Sequence, residues 1–240
     1  GLWFEASARR LAESGLAVLL PDRRGSGRNL QDRGHAPSAG RLIQDVVESC
    51  DELRARTGLD RFHVMGVSWG GKLALGLCNE APQRIATVTL VAPGLFPSVD
   101  LPAGQKVRVG LSALMAGRAL FDIPLQDPAL FTSNRPWQEF IRTDALTLRQ
   151  VTARFLTASR RLDAGVRQAG HRRSGPPLCL FLAGQDRIID NRATREFVRR
   201  LSWPGRHIIE YEQAHHTLEF EPDPEPFFSD LVDWLGARGP

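Results

Sequence analysis

The sequence predicts an α/β fold: a mainly parallel sheet flanked by helices, with an inserted helical cap. Three observations lead there. Short, continuous apolar runs alternate with segments of helical period, the pattern of strands buried on both faces of a parallel sheet and joined by right-handed crossovers. The alternation breaks between Phe96 and about Ser174 and then resumes. The run Phe62-His63-Val64-Met65 passes through one tight Gly/Ser turn straight into an apolar helix, Lys72–Cys78. This reading puts the core over residues 1–96 and 175–240 and the cap over residues 97–174.

Taken in order, Phe4 to Ser14 reads as an amphipathic helix with Phe4, Ala8, Leu11 and Ala12 on one face, ended by Gly15. Leu16-Ala17-Val18-Leu19-Leu20 is expected as a strand buried on both faces. The Gly-rich loop Pro21–Gly27 follows it. This loop lacks the G-x-x-x-x-G-K-[ST] pattern, and its G-x-G-x-x-G register fails at Leu30, which excludes nucleotide binding. Ala39 to Thr57 is a second helix, with Leu42, Val46, Cys50 and Leu53 on one face and Gly58 closing it. Ile85 to Val91 is a strand that stops at Pro93-Gly94. In the interrupted region Val107, Leu111, Leu114 and Met115 suggest one helix, and Leu148, Val151, Phe155 and Leu162 another. A loop punctuated by Pro124, Pro128 and Pro136 separates them, and no clear strand is visible. Most of these apolar faces are expected to pack on the core and a minority to line a pocket. Leu178–Ala183 is again a strand, Asn191 to Leu201 a helix and Ile208–Tyr211 the last strand. Asp223 to Leu235 closes the chain with Phe227, Leu231 and Trp234 facing inward.

The bulk numbers exclude several classes. A chain of 240 residues with 42% hydrophobic content suits one domain with an insertion. It contains no run of about 18 apolar residues, so no membrane span is expected. No signal peptide is visible, and the first residue is Gly1. Cys50, Cys78 and Cys179 lie in apolar or helical segments without metal-type spacing, and read as reduced core thiols of a cytoplasmic protein. The net charge of +4 is carried mostly by Arg, and the pairs Arg9-Arg10, Arg23-Arg24, Arg160-Arg161, Arg172-Arg173 and Arg199-Arg200 are dispersed. That is a solvated basic surface, with no nucleic-acid partner expected.

The chemistry centres on Gly66-Val67-Ser68-Trp69-Gly70-Gly71. Strand, G-x-S-x-G, helix is the context of a nucleophile elbow, in which residues flanking the serine must be small. Gly66 and Gly70 are read as permitting that close approach. Ser68 is thereby raised on the tip of the turn, and the first helical N–H groups, led by that of Trp69, face the place where an oxyanion would form. A serine hydroxyl needs a base, and the base an orienting acid. In an open parallel sheet both belong on loops at the carboxyl ends of strands. Gly184-Gln185-Asp186 follows one strand and His215-His216 follows the next, so the order is serine, acid, histidine.

With these residues in place the chain resembles α/β-hydrolases of the group containing monoacylglycerol lipases, bacterial lysophospholipases and serine aminopeptidases. The likeness covers most of the chain. It rests on Asp22-Arg23-Arg24-Gly25-Ser26-Gly27, the elbow, Asp186-Arg187-Ile188-Ile189-Asp190 and Tyr211-Glu212-Gln213-Ala214-His215-His216. The resemblance to a Tyr-x-Gly-x-x-His ending implies His216, not His215, as the base, although Gln213 stands where the group usually has Gly. It also implies Ser68 as nucleophile, Asp186 as acid, the Trp69 backbone N–H as one oxyanion donor, and no cofactor or metal. The group more often has Met after the serine. The Trp69 indole either narrows an acyl pocket or packs against the sheet. The group's second oxyanion donor lies in a His-Gly loop after an earlier strand. That strand and two more would precede Phe4–Ser14, so the sequence is expected to be truncated at its N-terminus. The expected activity is serine hydrolysis of small-molecule or lipid-like carboxylic esters with apolar acyl groups. A peptidase and a non-catalytic binding member of the fold remain open.

Overall fold

The computed structural model describes residues 2–115, 117–171 and 173–238. Gly1 and Arg172, the latter half of one basic pair, lie outside the described residues. Four parallel strands form the central sheet: β1 (Phe62–Val67), β2 (Ile85–Val91), β5 (Leu178–Ala183) and β6 (His207–Tyr211), in the spatial order β1-β2-β5-β6. The register sets Gly66 beside Leu90, Leu90 beside Leu180, and Leu180 beside Ile208.

The period of two along each strand sorts the core into two layers. Leu178, Leu180 and Leu182 of β5 join Val88 and Leu90 of β2 on one face. That face is covered by α2 (Ala39–Thr57), α3 (Gly70–Glu80), the second half of α6 (Ala153–Gly170) and α7 (Asn191–Arg200). The alternate residues Cys179, Phe181 and Ala183 face α1 (Glu5–Glu13) and α8 (Glu225–Gly236), where Leu11, Phe227, Leu231 and Trp234 are buried. Trp234 Nε1 donates to Thr89 Oγ1 at 3.0 Å, satisfying two polar groups inside an apolar layer. Cys50, Cys78 and Cys179 are free and buried. Burial pushes the Cys179 thiol up to about 12.

Two expectations fail. Leu16–Leu20 is not a strand: it has no ladder partner among the described residues, and Val18 and Leu20 are 39% and 40% exposed. An apolar run becomes a strand only when a neighbour supplies the other half of its hydrogen bonds, and β1 pairs with β2 alone. The interrupted region is also not free of strands. After α4 (Ala103–Leu114), β3 (Leu120–Asp122) pairs antiparallel with β4 (Gln150–Thr152). Between them α5 (Arg135–Thr143) starts at the proline read as loop punctuation, because Pro136 falls in its first turn, where a missing N–H costs nothing. α6 serves two layers: Phe155, Ala158 and Leu162 pack with Leu42, Leu73 and Val151, whereas Val166 and Ala169 join the sheet core.

Candidate active site

Ser68 closes the turn between β1 and α3 with φ 50°, in the left-handed region that residues with a Cβ rarely adopt. Such strain persists only where the surroundings over-determine it. Here the Ser68 N–H donates to Val91 O at 2.9 Å, and its carbonyl accepts from Gly71 N at 3.0 Å and Gly94 N at 2.7 Å. A Cβ on Gly66 would lie 2.8 Å from Gly70 O and 2.9 Å from Gly71 Cα, so that glycine is obligatory. The partner assigned to it from the sequence is corrected: a Cβ on Gly70 meets nothing within 4 Å, whereas one on Gly71 would lie 2.6 Å from Pro93 Cβ. The second close approach is between the elbow and the end of β2.

The three side chains expected from the sequence, Ser68, Asp186 and His216, converge. The side chains of Asp186 and His216 are 0% and 2% exposed, and His216 Nδ1 lies 2.7 Å from Asp186 Oδ2. A carboxylate only accepts, so Nδ1 carries the hydrogen and donates it. His216 Nε2 is then the free acceptor, 2.8 Å from Ser68 Oγ. The other Asp186 oxygen accepts from the N–H groups of Ile188 at 2.8 Å and Ile189 at 3.2 Å, which fixes the carboxylate plane. His215 points elsewhere, with Nδ1 3.4 Å from Glu221 Oε2. Asp190, four residues beyond Asp186, caps α7 by accepting from Ala193 N at 2.9 Å. The Trp69 N–H stands at the amino end of α3 and meets no backbone acceptor among the described residues.

Residues that the sequence reading passed over hold this geometry. Gly184 lets the acid loop and the histidine loop touch: a Cβ there would fall 2.3 Å from Glu212 O, and the Gln185 N–H donates to Ala214 O at 2.9 Å across the contact. Its signal was available, a glycine between the last strand residue and the acid. Phe131 and His216 pack edge-to-face, with centroids 5.9 Å apart, and the Phe131 carbonyl accepts from the Thr217 N–H at 2.9 Å. Thr132 Oγ1 donates to Phe220 O at 2.8 Å. The segment between β3 and β4 is thus tied down over the histidine loop, a contact spanning too much sequence for any periodic pattern to reveal. Glu219, in the same loop, is buried and accepts from Ser7 Oγ. Burial outweighs that bond and those from the Ser7 and Ala6 N–H groups, and raises its pKa to about 7.

The Trp69 indole does not pack against the sheet. It stacks on Phe155 of α6, with centroids 5.2 Å apart, and its Nε1 donates to Ser159 Oγ at 2.9 Å. A surface cleft of about 250 Å³ lined by Arg54, Asp60, Phe62, Gln83 and Arg84 lies at the opposite end of β1 from Ser68 and is no part of the site. Among the described residues no group of three or more His, Cys, Asp and Glu could hold a metal ion, and no helix is long and apolar enough to cross a membrane.

Compared with known proteins, the chain matches the family model of serine aminopeptidase S33 hydrolases over residues 2–223. An abhydrolase domain-containing protein of Dictyostelium discoideum is 25% identical over 243 residues, covering 98% of this chain and 25% of that protein. A proline iminopeptidase of Xylella fastidiosa is 35% identical over 79 residues, covering 33% of this chain and 24% of the relative. The chain therefore spans about a quarter of the length of these curated relatives. Among solved structures, the monoacylglycerol lipase of Paleococcus ferrophilus superposes with a TM-score of 0.87 at 20% identity, covering 98% of this chain and 89% of that one. A soluble variant of the monoglyceride lipase of Saccharomyces cerevisiae, solved with a substrate analogue, gives 0.72 at 19% identity, covering 89% and 74%. At such identities these likenesses show the fold, that of the α/β-hydrolases.

Proposed function

The chain belongs to the serine aminopeptidase S33 family of hydrolases, and on that premise we propose that it is a serine hydrolase cleaving carboxylic esters of apolar acyl groups. The observation that carries the proposal is the buried imidazole of His216 bridging Ser68 Oγ at 2.8 Å and Asp186 at 2.7 Å. Ser68 Oγ attacks the ester carbonyl while His216 Nε2 takes its proton. Negative charge then develops on the carbonyl oxygen, where the Trp69 N–H stabilises it. Asp186 keeps the proton on Nδ1 and stabilises the imidazolium. Collapse of the tetrahedral adduct expels the alcohol, which receives the proton from Nε2. Water repeats the sequence on the acyl-enzyme and frees the acid. No cofactor enters these steps. The apolar residues of segment 97–174 supply the acyl-binding surface and make that segment a cap. Three buried free thiols support a cytoplasmic location.

One observation favours a second reading: the short stretches of identity to proline iminopeptidases. Against it, the charge packed on the residue after Ser68 is a cation, Arg23, and a cation repels the free ammonium of an aminopeptidase substrate. Hydrolysis of p-nitrophenyl esters and of prolyl p-nitroanilide by the wild type and by Ser68→Ala tests both. Ester turnover lost in the variant is expected. Faster anilide turnover would transfer the proposal to peptide bonds, and neither activity would leave a binding protein.

A further inference from the structure

The loop Asp22–Gly27 holds two adjacent arginines in opposite situations. It is built tightly: Gly25 and Gly27 have φ 68° and 56°, and a Cβ on Gly27 would lie 2.2 Å from the Asp22 carboxylate, which accepts the Arg28 N–H at 3.0 Å. Arg24 turns toward α2 and meets Asp45 with Nε at 2.8 Å and Nη2 at 2.7 Å, a bidentate pair that accounts for its charge. Arg23 turns the other way. Its guanidinium carbon lies 4.4 Å from the centroid of the Trp69 ring and 5.4 Å from that of Phe155. Although the residue as a whole keeps some exposure, its Nη1 is buried and makes no hydrogen bond. Among the described residues no carboxylate forms an ion pair with it. Burial lowers its pKa to about 10, which leaves it a cation at neutral pH.

Aromatic faces attract a guanidinium but accept none of its hydrogens in plane. A buried, charged donor without a partner is expensive, and native structures keep such a group chiefly where something else completes it. The ring beneath Arg23 belongs to the residue that follows Ser68 and whose N–H faces the developing oxyanion. Through this residue the cation is joined to the turn that carries Ser68. We propose that Arg23 binds an anionic group carried by the ester substrate, a carboxylate or a phosphate, so that the preferred ester is an anion. This rests on the serine-ester reading above and narrows its substrate class.

The test compares matched pairs that differ only in charge. Mono-p-nitrophenyl glutarate against p-nitrophenyl valerate places the anion on the acyl side. A 1-acylglycerol 3-phosphate against the 1-monoacylglycerol of the same chain places it on the alcohol side. In at least one pair the anionic member is expected to have the higher kcat/KM by about ten- to a hundredfold, the scale of a desolvated charge-assisted bond. In Arg23→Gln that ratio should fall to about one, and in Arg23→Lys it should recover in part. Thermal melts of both variants establish that they fold. Ratios at or below one in both wild-type pairs, or a preference that survives in folded Arg23→Gln, would overturn the proposal and leave Arg23 a structural plate on Trp69. Should no ester be turned over, the serine-ester reading fails by itself. Calorimetric binding of the same pairs to Ser68→Ala and to Ser68→Ala/Arg23→Gln then reads the anion preference independently, and equal affinity for charged and neutral members would sink it.

Discussion

With φ at 50° and its carbonyl shared by two glycine N–H groups, Ser68 owes its position to the turn and not to its own hydroxyl. Ser68→Ala should therefore melt close to the wild type while ester turnover falls by roughly 10⁴- to 10⁶-fold. Asp186→Asn should cost on the order of 10⁴-fold, because it mis-sets the imidazole tautomer without removing the base. The adjacent histidines separate the same way: His216→Ala should abolish turnover and His215→Ala retain most of it, since His215 is engaged with Glu221. Steady-state kinetics on the four variants checks this, and full activity in Asp186→Asn would reassign the acid. At this scale the sequence was most legible where chemistry dictates residue type and order. Ser68, Asp186 and His216 could be singled out because each follows a strand, and the fold brings them within hydrogen-bond reach. The misassigned glycine, Gly70 for Gly71, could not have been separated from the pattern alone. G-x-S-x-G ends on Gly70 and is silent on Gly71, and the space that decides between them is bounded by Pro93, more than twenty residues away in the chain.

The elements deliver these residues through a few close approaches. Gly184 is the sharpest, because the loops after β5 and β6 touch through it. Gly184→Ala should lower stability by about 1–3 kcal/mol from overpacking and reduce kcat as Asp186 and His216 move apart. A melt together with kcat would show it, and an unchanged kcat would mean the loops adapt. Glu219 ties the histidine loop to the start of α1 and gives that contact a pH dependence. Its pKa is raised from 4.5 to about 7 in the folded chain. Below about pH 4.5 both states hold the proton and the group contributes nothing. As pH rises to about 7 only the folded state keeps it, so stability falls, and above pH 7 the full cost remains. Relative to wild type, Glu219→Gln should gain stability progressively across pH 4.5–7, by at most roughly 3 kcal/mol for a shift of this size. Chemical denaturation at several pH values measures it, and a pH-independent difference would contradict the burial account. Helices and strands with long regular patterns were legible in the sequence. The three-residue strands β3 and β4 are too short to show a period, and α5 was hidden because Pro136 reads the same at a helix start as in a loop.

Over the whole molecule, two helical layers enclose a parallel sheet, and a segment between its second and third strands folds back over the carboxyl ends. The parallel sheet and its flanking helices were visible in the alternation of apolar runs. What escaped were contacts between ends of the chain, above all the cluster in which Trp3 packs on Phe131 and Phe220, and Trp137 stacks on Phe220 with centroids 4.1 Å apart. Leu16–Leu20 escaped for the opposite reason: its composition is that of a strand, but strand pairing is a property of neighbours. If the segment over residues 97–174 is an acyl-binding cap, kcat/KM in a p-nitrophenyl ester series should rise with each CH₂ by up to a few-fold, since a buried CH₂ is worth about 0.8 kcal/mol. A steady fall from two carbons upward would remove the apolar pocket. The most direct test of the central claim is reaction with a fluorophosphonate followed by mass spectrometry of the adduct. The account predicts one covalent adduct, on Ser68, whose rate of formation collapses in His216→Ala. A folded protein left unlabelled at Ser68, or labelled there equally fast without His216, would contradict it.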